Sequence, residues 1–176
     1  MRTARTFSLL LVCSLVVTLG ACASGPAPRA WAATVCQVLA PWRTEIGNLT
    51  TRTQQQMNVA TTPGQAKENL MRLFGGAQDA SEKARKGVAD AGVPDVDGGK
   101  KVADGFTTSL SAMRDAYGKA RSGIEALTTS PAKDFYAKVA MVVQTLNTEY
   151  QASELDTSNL SSVELKEAFD EAPECR

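Results

Sequence analysis

The chain has 176 residues, 43% of them hydrophobic, with no histidine and 19 basic against 19 acidic side chains, so its formal net charge is zero. That length supports one domain with a real core, and the absence of a basic excess argues against nucleic acid or anionic lipid headgroups as partners. Without histidine the commonest general base and the commonest metal ligand are missing, which argues against an enzyme, a cofactor or a resident metal while leaving carboxylate or lysine chemistry open.

The first two dozen residues have three zones. Arg2 and Arg5 supply positive charge, an apolar run extends from Phe7 to Leu19, and the stretch closes in Leu19-Gly20-Ala21-Cys22. This is the pattern of a secretory signal, and the apolar run falls short of the roughly 20 residues that span a bilayer. Leu-Gly-Ala-Cys resembles the lipobox of bacterial lipoproteins; ordinary secretion with a chance cysteine at the cut is the alternative. The resemblance implies that the Cys22 thiol takes a diacylglycerol, that cleavage falls just before it, and that the new amine is a site for a further acyl chain such as palmitate. It divides the chain into a signal peptide over 1–21, a lipidated tether over 22–30 and a helical domain over 31–176. The expected location is the extracytoplasmic face of the cell membrane, since two or more acyl chains anchor a protein stably.

Of the four cysteines, Cys13 leaves with such a signal and Cys22 is acylated. Cys36 and Cys175 remain, one near each end of the domain. In an oxidising envelope they are expected to form a disulfide; two unpaired buried thiols are the alternative.

After the small-residue and proline stretch Ala23–Arg29, expected to lift the domain off the lipid, everything reads helical. Four apolar stripes follow three- and four-residue steps. The first takes Val35, Leu39, Trp42, Ile46, Leu49, Thr53 and Met57. Pro41 lies inside it and predicts either a kink or a helix start. The second takes Leu70, Leu73, Ala77, Ala80, Ala84, Val88 and Ala91, with Phe74 alongside, and is interrupted by Gly75-Gly76, which marks a bend or a close helix contact. The third takes Val102, Phe106, Leu110, Met113, Tyr117, Ala120, Ile124 and Leu127. The fourth takes Phe135, Val139, Val142, Leu146 and Tyr150. A short fifth helix carries Val163, Leu165 and Phe169.

The punctuation agrees. Thr62-Pro63-Gly64-Gln65 offers a capping box with proline at the first helical position. Asp97 and Ser130 read as further N-caps, and Ser161-Ser162-Val163-Glu164 as a second capping box. Asp79–Lys83, Asp115–Lys119 and Asp134–Lys138 have the spacing of exposed helical ion pairs. The predicted fold is all-α: an antiparallel up-down bundle of four main helices plus a short C-terminal helix, closed by one disulfide.

Motifs that carry chemistry are weak. Ser130-Pro131-Ala132-Lys133 matches the Ser-x-x-Lys of penicillin-binding proteins and serine β-lactamases, but the accompanying Ser-Asp-Asn and Lys-Thr-Gly are missing. Asp95-Val96-Asp97-Gly98 starts like a calcium loop, yet that register puts Lys100 where glycine is required and Phe106 where an acid is required. Gly98-Gly99-Lys100-Lys101 lacks the first glycine and the hydroxyl of a phosphate loop. Asp134 and the acids from Glu164 to Glu174 are the remaining candidates for paired carboxylates, with a solvated surface as the plainer reading. Trp31, between tether and first stripe, either caps the bundle or touches the membrane interface.

Cys22, Cys36-x5-Trp42, Ala91-Gly92-Val93-Pro94 and Pro173-Glu174-Cys175 together make the chain similar to small helical lipoproteins of actinobacteria, a resemblance that implies location and fold but no activity. The expected role is a non-enzymatic, membrane-anchored envelope module that binds another envelope protein or a cell-wall component. The alternative is a carrier of an apolar small molecule held between the bundle helices.

Overall fold

The computed structural model describes residues 25–153, 160 and 162–176, all helix, turn or loop with no strand among them. Cys22 and the apolar run before it lie outside the described residues. Five helices follow in order: α1 Pro28–Gln56, α2 Pro63–Asp90, α3 Gly99–Glu125, α4 Ala132–Ala152 and α5 Val163–Glu171, with a 3₁₀ turn Pro173–Cys175 after them.

Hydrogen bonds between helices give the directions. Lys67 near the start of α2 donates to the carbonyls of Glu125 and Leu127 at the end of α3. Asn69 reaches the Gln56 carbonyl at the end of α1, and Lys119 of α3 meets Glu149 near the end of α4 at 2.9 Å. Ser109 of α3 meets Ser153 just past the end of α4, while Gly123 near the end of α3 approaches Val142, so α1 to α4 alternate in direction. α2 packs on α1 and α3, α4 on α3, and α5 with the 3₁₀ turn closes over α1.

The stripes face inward as the periodicity predicts. On α3 every stripe position from Val102 to Ile124 is buried and Leu127 is half-buried. On α2 the stripe is widened by Phe74 and Ser81, both buried. α4 is the least covered main helix: Phe135 and Leu146 are its buried residues, and Met141 stands exposed. On α5, Leu165 is fully buried, but Val163 is 74% exposed and lies outside the core. Val163 is the first residue after the cap and, two positions before Leu165, points to the opposite side of the helix.

The core has two lobes. The lower one gathers Trp31, Val35, Leu39, Val88, Val102, Phe106 and Leu165 where α1 begins and α2 ends. The upper one gathers Leu70, Phe74, Ala77, Tyr117, Ile124 and Leu146. Burying each large side chain contributes about 1.5–3 kcal/mol. Polar groups inside are paired: Ser81 donates to the Ala77 carbonyl at 2.8 Å and accepts from the Trp42 indole at 3.1 Å. Ser109 donates to the Ser153 carbonyl, joining α3 to the end of α4.

α1 continues through Pro41 without ending or restarting. Proline removes the bond to the carbonyl of Gln37, and both residues are on the exposed side of the helix, where the break does not bury an unpaired group. Gly75-Gly76 leaves α2 unbroken as well. There the reason is proximity: a Cβ on Gly76 would lie 2.9 Å from the Leu49 side chain.

The helix starts correct three expectations. The Thr62 capping box forms in full, with Gln65 and Thr62 bonding each other's backbone N–H. Ser162 caps α5 through the Leu165 N–H, but the third helical position is Leu165 and no reciprocal bond completes a box. α3 starts from Gly98 at φ 76°, a left-handed conformation, rather than from Asp97. The Gly99 N–H bonds the Val96 carbonyl, which carries the chain one residue past Asp97 before the helix begins. α4 starts from Pro131, whose carbonyl accepts from Asp134 and Phe135, so Ser130 is one residue too early to cap.

Candidate functional site

α1 presents Cys36 on its buried face, and α5 runs back along α1 until Ala172, itself buried, and Pro173 turn the chain into the 3₁₀ turn that carries Cys175. The two cysteines, 139 positions apart in sequence, are disulfide-bonded with their Cα atoms 5.1 Å apart. The bond joins α1 to the 3₁₀ turn that follows α5.

The segment leading into α1 is held on the opposite side. The Asp95 N–H donates to the Pro26 carbonyl at 2.9 Å, and the Trp31 indole donates to the Gly92 carbonyl at 2.9 Å. Gly25 lies so close to the α2–α3 loop that a Cβ there would fall 1.9 Å from the Val93 oxygen. Trp31 is wholly buried, edge-on to Phe106 and Phe169 with ring centroids 5.6 and 5.9 Å away. It therefore caps the lower lobe and has no surface left for a membrane. The helix begins at Pro28, so the last three residues expected in the tether belong to α1, and Gly25-Pro26 is docked rather than a free spacer.

The chemical motifs do not converge. Ser130 and Lys133 are both exposed around the start of α4. Asp95 and Asp97 are exposed on the α2–α3 loop. Asp134 lies at the end of the bundle where the Tyr136 hydroxyl meets the Thr61 carbonyl, whereas the acids of α5 lie at the other end beside Trp31. No carboxylate pair forms between them. Among the described residues no group of three or more His, Cys, Asp or Glu is placed to hold a metal ion.

The charge clusters that do form were only partly visible in the sequence. Glu82 on α2 meets Arg85 at 2.8 Å, one turn on, and Arg114 of α3 at 2.9 Å. Hydrogen bonds from Arg85 and Arg114 hold the Glu82 carboxyl down at about 2. Arg114 also bonds Asp115, lowering that carboxyl in turn. Lys119, expected to face Asp115 along its own helix, pairs with Glu149 of α4 instead. The i,i+3 spacing of Glu82 and Arg85 was readable; the arrival of Arg114 from another helix was not. In the upper lobe, burial and then the neighbouring Tyr150 push the Tyr117 hydroxyl up to about 12.

A groove of about 1010 Å³ lies between α1 and α2, walled by Val38, Pro41 and Trp42 on one side and by Asp79, Lys83 and Lys86 on the other. Glu45, Glu82 and Asp90 complete its charged lining. No helix among the described residues is long and apolar enough to cross a membrane.

Comparison with protein-family models, with curated proteins and with solved structures finds no match.

Proposed function

We propose that this protein is an envelope lipoprotein, acylated on Cys22 and held on the extracytoplasmic face of the cell membrane, whose bundle binds another envelope protein or a cell-wall component without catalysing a reaction. The observation that carries this reading is the cysteine arrangement. Cys36 and Cys175 are joined, which fits an oxidising compartment, and Cys22 is left directly after Leu19-Gly20-Ala21. The scattered Ser130, Lys133, Asp134 and Glu164 give no support to an enzyme.

Metabolic labelling with a palmitate analogue tests the anchor. Wild-type protein takes the label and a Cys22→Ala variant does not; equal labelling of the two refutes the reading. Crosslinking in intact cells followed by capture of the bundle tests the binding role, which fails if nothing rises above an uncrosslinked control.

One observation favours a second reading, carriage of an apolar small molecule. The α1–α2 groove sets Val38, Pro41 and Trp42 along one wall. Native mass spectrometry of protein purified from its own host then shows a retained mass, and a clean unliganded spectrum removes the idea.

A further inference from the structure

The chain is fixed to the bundle from Gly25 onward. Pro26 bonds Asp95, Trp31 bonds Gly92, and Gly25 lies against Val93. On the other flank Arg29 meets Glu171 at 3.6 Å, and the disulfide ties Cys36 to Cys175. Neither flank leaves slack for the start of α1 to swing away from the α2–α3 loop.

From Cys22 to Gly25 there are three Cα–Cα steps, which together reach at most roughly 11 Å when extended. An acylated cysteine keeps its chains in the hydrocarbon and its backbone at the headgroups, a zone only about 5–8 Å deep on each leaflet. The lead is too short to carry the domain clear of the lipid.

We propose that the α2–α3 loop, residues 91–98, is a membrane-apposed surface on which the bundle stands end-on, with Val93 facing the phospholipid headgroups. This rests on the acylation of Cys22 proposed above. Val93 is 43% exposed although apolar. Around it Asp95, Asp97, Lys100 and Lys101 are all exposed and of both signs, so charge neither drives nor forbids the approach; the length of the lead imposes it. α2 has 28 residues and spans about 42 Å at 1.5 Å per residue. The α1–α2 connection with fully exposed Val59 therefore stands roughly 40 Å further out, and partners in the envelope meet that end first.

The test uses acylated full-length protein in vesicles of phosphatidylethanolamine and phosphatidylglycerol doped with a lipid carrying a headgroup nitroxide. With Cys22 acylated and Cys36 and Cys175 paired, a Val93→Cys or Val59→Cys substitution supplies the thiol for a bimane label. The expected result is quenching several-fold stronger at position 93 than at 59. A flexible Gly/Ser insert of about twelve residues between Ser24 and Gly25 is expected to abolish the difference while the protein still floats with vesicles. Equal quenching at 93 and 59 without the insert overturns the proposal. So does a blue-shifted but unquenched label at 93, which assigns the loop to a protein partner or a second copy. Flotation separates the two levels: protein that floats without selective quenching refutes the orientation alone, and wild-type protein that floats no better than Cys22→Ala refutes the anchor and the orientation with it.

Discussion

Trp31 donates its indole N–H to the carbonyl of Gly92, 61 positions along the chain, from a site with no solvent exposure. The bond joins the first turn of α1 to the loop just past the end of α2, and the indole ring packs edge-on to Phe106 and Phe169. One side chain thus closes the lower lobe and pins the start of the domain.

Trp31→Ala is expected to destabilise the protein by about 3–5 kcal/mol, the usual cost of removing a buried aromatic. Trp31→Phe keeps most of the ring but loses the bond to the Gly92 carbonyl, which lies on an exposed residue, at about 0.5–1.5 kcal/mol. Urea unfolding followed by circular dichroism measures both. A Phe variant as damaged as the Ala variant would show that the hydrogen bond, not the ring, dominates.

Reducing the Cys36–Cys175 bond, or replacing both residues by Ala, is expected to lower stability by about 2–4 kcal/mol, with the long loop favouring the upper part of that range. The helices persist, because both core lobes draw on α1, α2 and α3. Intact mass before and after thiol alkylation reports the bond, and the urea midpoint reports the loss. An unchanged midpoint would mean that the unfolded chain is not loosened by reduction.

Two glycines on exposed and packed faces should respond oppositely to alanine. Gly47 on α1 has nothing within 4 Å of an added Cβ, so Gly47→Ala gains about 0.5–1 kcal/mol of helix propensity. At Gly87 an added Cβ falls 2.9 Å and 3.0 Å from the two methyls of Val38. Val38 is β-branched and stiff, so overpacking costs about 1–3 kcal/mol and outweighs the propensity gain. Equal stabilisation of the two variants would show that α1 and α2 can move apart freely.

Glu82 makes stability depend on acid. Its carboxyl is held at about 2 against an ordinary 4.5, so the charged form is favoured by folding. Its contribution is present in full above the ordinary value and is lost as pH falls toward about 2. Wild-type protein is expected to melt above Glu82→Gln at neutral pH, with the gap narrowing below pH 4.5 and closing near 2. Melting temperatures across that range decide it, and a gap independent of pH would assign the effect to something other than the carboxylate's charge.

Periodicity made the helices readable because a buried face on a regular helix repeats in the sequence. The α3 stripe is the clearest case, and Thr62-Pro63-Gly64-Gln65 carried its whole cap within four positions. Asp97 and Ser130 misled for a related reason: a capping side chain is recognised by type, but the backbone of the loop decides which residue stands at the boundary. Here Gly98 and Pro131 do. The docking of Gly25 and Pro26 had no local signal, since its partners Val93 and Asp95 are a whole helical hairpin away. The same distance hid the bond between Glu82 and Arg114. Cys36 and Cys175 were legible by subtraction among four cysteines, a form of reasoning that needs no geometry.

The disulfide has a topological consequence for turnover. A protease or unfoldase that works by threading must drag a single strand through a narrow channel, and here the strand becomes a covalent ring between Cys36 and Cys175. Pulling on Arg176 tugs at α1 through Cys175 at once, while the far side of the ring starts only at Cys36. Machinery of that kind has to reduce the bond, cut within the loop, or admit two strands abreast before it can process the domain.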